Sequence, residues 1–219
     1  MKPLVRHHGR VLAPHRVIDL DVAKFFDSVR HDLVVTVVAA HCPQAWVLLY
    51  VRRWLAAPLA GPDGTLSARD RGTPQGSAVS PVLANLFLHY AFDMWMTRTF
   101  PGVTFERYAD NAVVDCTSQA QACTIGAEIE DRMVEVGLRL HPDKTRIVYC
   151  QDSNRRGSFE LTSFTFLGFT FRARKARNNT GSVSPRSYRR SVQTPYGRSA
   201  GRFASGGCTD GSPSPSWPA

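Results

Sequence analysis

Two strand signals, the alternating residues 16–22 and the strand–turn–strand unit within residues 103–116, stand on either side of a long stretch of helical periodicity. That order restricts the fold more than any other feature of the chain. Residues 16–22 (R-V-I-D-L-D-V) read as a half-buried strand. Residues 103–107 and 112–116 flank Tyr108-Ala109-Asp110-Asn111, a strand–tight turn–strand unit. Between the two, residues 33–41 and 44–57 carry helical spacing, and Pro43 opens the second helix where its missing N–H costs nothing. Gly61-Pro62-Asp63-Gly64 marks a hairpin tip inside residues 58–71. In the strongest helix Val79, Val82, Leu83, Leu86, Phe87, Tyr90 and Met94 fall on one stripe. Ser80 as N-cap and Pro81 at the first helical position start it, and it should end near Arg98. Another amphipathic helix covers 118–136, with Gly137 as its C-cap. Residues 144–150 and 163–171 follow as strands, the second interrupted by Gly168. The succession strand, helices, strand pair, helix, strand is that of a split βαβ plan: α+β, with an antiparallel sheet and helices on one face.

At 219 residues, 43% hydrophobic and 21% charged, the chain has the makings of one globular domain with a core, plus an appendage. No apolar run approaches the roughly 18 residues that span a bilayer, and the first residues (M-K-P-L-V-R-H-H) lack the apolar stretch of a signal peptide. The five cysteines, Cys42, Cys116, Cys123, Cys150 and Cys208, are odd in number and form no C-x-x-C pair. That speaks against a disulfide framework or a structural zinc and for a reducing, cytoplasmic setting. The formal charge of +9 is unevenly spread: up to Phe171 basic and acidic residues nearly balance, and from Arg172 onward nine Lys and Arg face Asp210 alone. This last segment is rich in Gly, Ser and Pro and loses apolar periodicity, so residues 177–219 read as disordered. It is either a basic arm for RNA phosphates or the product of a shifted reading frame.

The chemistry rests on two carboxylates. Asp21 ends the first strand and Asp110 sits in the tight turn of the central pair. In a split βαβ sheet those strands are neighbours, so the two side chains can converge on one edge. Facing carboxylates without a basic partner repel unless they share a proton or hold a cation. Hard oxygen ligands that leave room for water and phosphate suit Mg²⁺, and two such ions can activate a 3′-hydroxyl and stabilise a leaving pyrophosphate. Each aspartate by itself equally fits an ordinary turn or strand-end residue.

Five blocks in order carry a resemblance. Residues 17–32 (V-I-D-L-D-V-A-K-F-F-D-S-V-R-H-D), 71–88 (R-G-T-P-Q-G-S-A-V-S-P-V-L-A-N-L-F-L), 105–116 (F-E-R-Y-A-D-N-A-V-V-D-C), 137–145 (G-L-R-L-H-P-D-K-T) and 164–171 (F-T-F-L-G-F-T-F) resemble the palm blocks of reverse transcriptases encoded by group II introns. The likeness spans residues 16–171 and implies a ferredoxin-like palm, an RNA-directed DNA polymerase and maturase of a mobile element. Implied partners are an RNA template, a DNA primer, dNTPs and intron RNA; the implied cofactor is a pair of Mg²⁺ ions held by Asp21 and Asp110. The resemblance also makes Phe26 the aromatic gate under the nucleotide sugar, although Phe25 and Phe26 are both open to being core. Gln75 and Gly76 would lie along the incoming nucleotide, glycine allowing close backbone approach. Lys144 would stand near the triphosphate, and Leu167, Gly168 and Phe169 would support the primer end, Gly168 equally fitting a bulge. Asp19 and Asp27 are expected to be structural or exposed.

The chain departs from that pattern in two ways. Where a third carboxylate is expected it has Asn111, whose amide oxygen can coordinate Mg²⁺ but brings no charge. Metal affinity and transition-state stabilisation should both weaken, while a turn Asn tolerates left-handed backbone and keeps the fold. The family's fingers and helical thumb regions are also unmatched, so the chain reads as a palm fragment: residues 1–15 a fingers remnant or linker, 16–171 the palm, 172–219 the basic tail. Three functions follow from these features: a weakened polymerase, a catalytically inactive RNA-binding or maturase-like remnant, and a decayed product without activity.

Overall fold

A computed structural model describes residues 16–74, 76–150 and 159–172, together with the backbone of three later strands. The chain divides into two compact units. Among the described residues the first holds 16–21, 102–127, 141–150 and 159–172 with the strands that follow; the second holds 22–101 and 128–140.

The first unit is built on a four-stranded antiparallel sheet. β1 (Arg16–Asp21) lies at its centre between β5 (Asn111–Cys116) and β6 (Arg146–Tyr149), with β4 (Phe105–Tyr108) outside β5. This strand order is the expected one, and it makes the first strand and the central hairpin direct neighbours. Ile18, Leu20, Ala112, Val114 and Cys116 are buried on one face. On the other, Val17, Val113, Val148 and Cys150 form a core closed by Phe164, Phe166 and Phe171.

The three phenylalanines come from β7 (Ser163–Phe166) and β8 (Phe169–Arg172), which pair as a hairpin. Residues 163–171 are therefore not one strand interrupted at Gly168. Leu167 (φ 54°) and Gly168 (φ 75°) form a two-residue turn in which both backbones are left-handed, the twist that joins adjacent antiparallel strands. Phe164 and Phe171 stack across the hairpin, centroids 4.9 Å apart. In the tail, β9 (Arg174–Arg177) pairs with β10 (Val183–Arg186), and β11 (Ser191–Val192) pairs with β8. These short pairings fall within the stretch expected to be disordered; its other residues, like residues 1–15, lie outside the described ones.

The second unit is mainly helical: a single turn α1 (Phe25–Ser28), α2 (His31–His41), α3 (Ala45–Ala56), a short hairpin β2 (Leu59–Ala60) and β3 (Leu66–Ser67), then α4 (Ser80–Leu88) and α5 (Met94–Thr99). Pro43 precedes the cap of α3 instead of occupying its first turn. The Gly61–Gly64 turn forms the hairpin tip, with the Gly61 N–H bonded to Thr65 O at 2.8 Å. α4 and α5 are joined without a break by a π-helical stretch at His89–Asp93, which the sequence reading missed. Its effect is visible in burial: Leu83, Ala84, Phe87, Leu88, Ala91, Phe92, Trp95 and Met96 are buried, a repeat of four. An α-helix of ~3.6 residues per turn would carry that repeat off the buried side, and the wider π turn restores it. Val82, expected on the buried stripe, is 65% exposed. Ser80 is not the cap either; its hydroxyl donates to Pro74 O at 2.6 Å, and Val79 occupies the cap position.

α6 (Gln119–Glu135) runs through both units. At its start Ser118 Oγ accepts the Gln121 N–H at 3.1 Å. At its end Gly137 (φ 80°) turns left-handed, so that Leu138 N bonds Met133 O at 2.7 Å and Gly137 N bonds Val134 O at 3.0 Å.

Two glycines separate strain from crowding. At Gly72 (φ 81°) a Cβ would stand 2.9 Å from Asp27 O, whereas at Gly76 (φ 84°) it would meet nothing within 4 Å. Gly76→Ala is expected to cost about 1–2 kcal/mol from the left-handed backbone alone, and Gly72→Ala about 1–3 kcal/mol more from the clash. Urea unfolding of both variants checks the difference.

Candidate active site

Because side chains alternate along a strand, Val17, Asp19 and Asp21 share one face of β1. Register extends that face sideways: Asp21 lies opposite Asn111, Asp19 opposite Val113 and Val17 opposite Asp115. Tyr108 lies opposite Asn111 and Glu106 opposite Val113, and Arg146 lies opposite Asp19 on the other side. The result is a polar field at one end of the sheet face, continuous with the phenylalanine-capped core at the other.

Asp110 occupies the two-residue turn before β5. The left-handed residue there is Ala109 (φ 52°), not Asn111, which is already the first residue of the strand. The Arg107 guanidinium donates to Ala109 O at 3.0 Å and holds this unfavourable backbone in place. Asn111 Nδ2 donates to Asp110 Oδ1 at 3.2 Å. The register thus gathers Asp21, Asn111 and Asp110 at one edge of the sheet.

Asp21 also has a basic partner, contrary to the expectation of carboxylates facing each other without one. Its carbonyl accepts the His141 N–H at 2.8 Å, and the Lys144 and Thr145 N–H groups turn back onto His141 O. This docked turn brings Lys144 Nζ to 3.0 Å from Asp21 Oδ2. The aspartate side chain is 12% exposed and the lysine 59%, so the ammonium enters from solvent.

Two further carboxyls share the face. Asp19 accepts from Arg146 Nε at 3.3 Å, yet burial pushes its pKa up to about 6 against the pull of the guanidinium. Asp115 is likewise raised to about 6, mainly by burial and then by the charge of Glu106. Asp19, expected to be structural or exposed, is partly buried and paired with Arg146. Asp115, Glu106 and Arg146 were not singled out from sequence, although the strand alternation that puts Asp19 beside Asp21 would have found them.

In the second unit Phe25 is the core ring and Phe26 is half-buried, their centroids 5.3 Å apart. The Phe26 carbonyl accepts the Thr73 N–H at 2.6 Å, and Val29 O accepts the Gly72 N–H at 2.7 Å. His31 Nε2 reaches Gly72 O at 2.7 Å. These bonds tie the R-G-T-P-Q-G block to the segment carrying Phe26. Gly76 is exposed, with open space where a side chain would stand, and Gln75 lies outside the described residues. Asp27 is exposed, as expected. In the β7–β8 turn Leu167 is 44% exposed, while Phe169 opens β8 half-buried.

Among the described residues no three His, Cys, Asp or Glu side chains gather as a metal cluster. The set brought together by register is two carboxylates and one amide. All three offer hard oxygen donors, which suit a divalent cation such as Mg²⁺, and the bound Lys144 ammonium marks Asp21 as a carboxylate that takes a positive charge.

The profile of reverse transcriptases (RNA-dependent DNA polymerases) matches residues 7–171. The chain belongs to the reverse transcriptase family. It is 25% identical to protein YkfC of Escherichia coli (strain K12), over 74% of this chain and 48% of that one. It is 30% identical to a COX1/OXI3 intron 1 protein of Saccharomyces cerevisiae, over 36% of this chain and 9% of that one. The resemblance to group II intron reverse transcriptases is thus matched by a relative that is itself an intron protein. The chain spans about half the length of YkfC and far less of the yeast protein. Among solved structures, apo telomerase from Candida tropicalis superposes with a TM-score of 0.56 at 10% identity, over 78% of this chain and 35% of that one. Telomerase from Candida albicans in complex with a fragment of telomeric RNA gives 0.55 at 13% identity, over 78% and 30%. These likenesses establish the palm-type fold. Among the described residues no helix is long and apolar enough to cross a membrane.

The raised carboxyls have a consequence for stability. Each binds its proton more tightly in the folded chain than in the unfolded one. Their contribution is therefore fully present below the ordinary value of 3.8 and is lost as pH rises through about 6. Asp115→Asn, which cannot ionise, is expected to stabilise the fold by about 1–3 kcal/mol above pH ~7 and by little near pH ~4. Urea unfolding at both pH values checks the sign.

Proposed function

We propose that this chain is the palm of a group II intron type reverse transcriptase and carries out RNA-directed DNA synthesis with weakened chemistry. The observation that carries the reading is the pairing of Asp21 with Asn111 across β1 and β5, with Asp110 in the adjoining turn. Asp21 and Asp110 would hold two Mg²⁺ ions, with the Asn111 amide oxygen as a neutral third donor. Bound there, such ions activate the primer 3′-hydroxyl and stabilise the pyrophosphate leaving group.

The chain's own residues prepare that chemistry. The backbone bond from His141 to Asp21 and the Arg107 bond to Ala109 fix the two carboxylate-bearing segments before any substrate arrives. Lys144 neutralises Asp21 until a stronger cation replaces it, and its exposed ammonium is then free for the triphosphate of the incoming dNTP. Phe26, beside the R-G-T-P-Q-G block, is the gate that tests the sugar; Gln75 and Gly76 line the nucleotide, and Leu167, Gly168 and Phe169 support the primer on its RNA template.

A second reading, a catalytically inactive RNA-binding or maturase-like remnant, is favoured by one observation: each catalytic carboxylate already has an internal partner, Lys144 for Asp21 and Asn111 for Asp110. Primer extension on an RNA template separates the two. Mg²⁺-dependent extension that Asp21→Ala abolishes supports the polymerase; RNA binding without extension supports the remnant. Asn111→Asp is expected to raise the extension rate at least about tenfold and to lower the Mg²⁺ concentration needed, since it restores a charge where the transition state is most anionic.

A further inference from the structure

The peptide plane between Gly72 and Thr73 is held from both sides. Its N–H, that of Thr73, donates to Phe26 O at 2.6 Å. Its carbonyl, that of Gly72, accepts from His31 Nε2 at 2.7 Å. A carbonyl can only accept, so Nε2 carries a proton whether the ring is neutral or charged. Just upstream, the Gly72 N–H is bonded to Val29 O at 2.7 Å and Arg71 forms a β-bridge with Arg30. The bonds from Phe26 and Val29 are backbone to backbone; the His31 ring, at the first residue of α2, is a side chain and can be removed.

Glycine gives that side chain its weight. Gly72 has φ 81°, and a residue without Cβ offers little local resistance to rotation of the plane that follows it. The orientation of the plane therefore rests on the bonds at its two ends. Both Gly72 and Thr73 are buried, so a carbonyl that loses its donor there is not repaid by water.

The same block is pinned again two residues further on. Ser80, buried in the first turn of α4, donates its hydroxyl to Pro74 O at 2.6 Å. Proline has no N–H, so this carbonyl is its one backbone polar group. Between the two pins, in chain order, come Gln75 and Gly76. A Cβ on Gly76 would meet nothing within 4 Å, so packing does not fix that residue.

We propose that His31 and Ser80 are positioning residues of the nucleotide site, holding the two ends of the segment that carries Gln75 and Gly76 and tying it to the backbone of Phe26. The proposal rests on the polymerase reading above and deepens it. Without the pins the segment samples several arrangements, and apparent nucleotide affinity falls by the fraction that is competent to bind. The carboxylates stand on other elements, so the chemical step is left nearly unchanged.

Primer extension by the full chain on an RNA template, with dNTP concentration varied, separates KM from kcat. His31→Leu is expected to raise the dNTP KM about three- to tenfold and to leave kcat within about twofold. His31→Gln, whose side-chain amide can donate to the same carbonyl, is expected to bring KM back to within about twofold of the parent. Ser80→Ala is expected to raise KM as His31→Leu does, and alone decides by this criterion if His31→Leu does not fold. Because the clamped plane is bonded to Phe26, incorporation of rNTP relative to dNTP is expected to rise in His31→Leu. A merely destabilised fold would lower the active fraction, and so kcat, and leave KM and that ratio in place.

Parent-like KM in both His31→Leu and Ser80→Ala, with extension intact, would overturn the proposal and leave the polymerase reading standing. Equal losses in His31→Leu and His31→Gln would also overturn it, since the donor would then not be what matters. A parent chain that extends no primer would overturn the polymerase reading itself. The pins are then judged on dTTP binding by equilibrium dialysis: weaker binding in His31→Leu that His31→Gln restores supports them, and any other result, including no binding by the parent, overturns them.

Discussion

The antiparallel register of β1 against β5 is the constraint on which the rest depends. Side chains alternate with a period of two, so a slip of one residue would move Asp21 and Asp19 to the opposite face and bring Ile18 and Leu20 out in their place. The chain pins the register at the far end of the strand. Val17 packs with Val113, Val148 and the phenylalanines of the β7–β8 hairpin on the same face as Asp21. An apolar cluster that cannot tolerate a slip therefore aligns a polar edge that has no packing of its own. The turn after β4 adds a second anchor, with Arg107 holding the left-handed Ala109 so that Asp110 and Asn111 enter beside β1.

Much of this was legible in the sequence. Alternation in R-V-I-D-L-D-V and the strand–turn–strand pattern around Y-A-D-N predict both strands of the central pair, and the succession of elements predicts their adjacency. The unread features share a cause: they depend on backbone geometry that residue type signals weakly. Leu167 takes a left-handed backbone although leucine disfavours it, so the sequence suggests a break at Gly168 where the β7–β8 turn lies. The π-helical stretch His89–Asp93 shifts the buried stripe beyond it, so a strict α-period points to Tyr90 and Met94 where Ala91, Phe92, Trp95 and Met96 are the buried residues. The partner of Asp21 was out of reach for a different reason. Lys144 arrives through a turn docked on the Asp21 carbonyl, a contact between distant segments that no local pattern encodes.

α3 illustrates a limit of periodicity of another kind. Both of its sides are apolar, so helical spacing predicts the helix correctly but cannot say which side faces the core. The structure resolves the ambiguity by burying Val51 and Leu55, which are small or branched and pack closely, and leaving out the large rings. Tryptophan and tyrosine carry polar tips that favour a surface position over a dry core.

On the proposed reading, the polar edge keeps the fold while reducing the chemistry. A set of three converging carboxylates is self-repelling and needs a cation to be stable, so in such a site metal binding and folding are coupled. Asparagine at position 111 removes one charge and adds a donor, which it gives to Asp110. Lys144 supplies a positive charge to Asp21. The edge is thereby satisfied from within: each carboxylate has a partner and the fold no longer depends on an ion. On the proposed reading the same satisfaction would oppose function, because a divalent cation would first have to displace an ammonium from one carboxylate and then bind a site with less negative charge. Stability and catalysis pull in opposite directions at this one edge, as they do wherever an active site is held in a strained or repulsive state. On that reading Asn111 would move the balance toward stability, while the strand register that sets it opposite Asp21 stays intact.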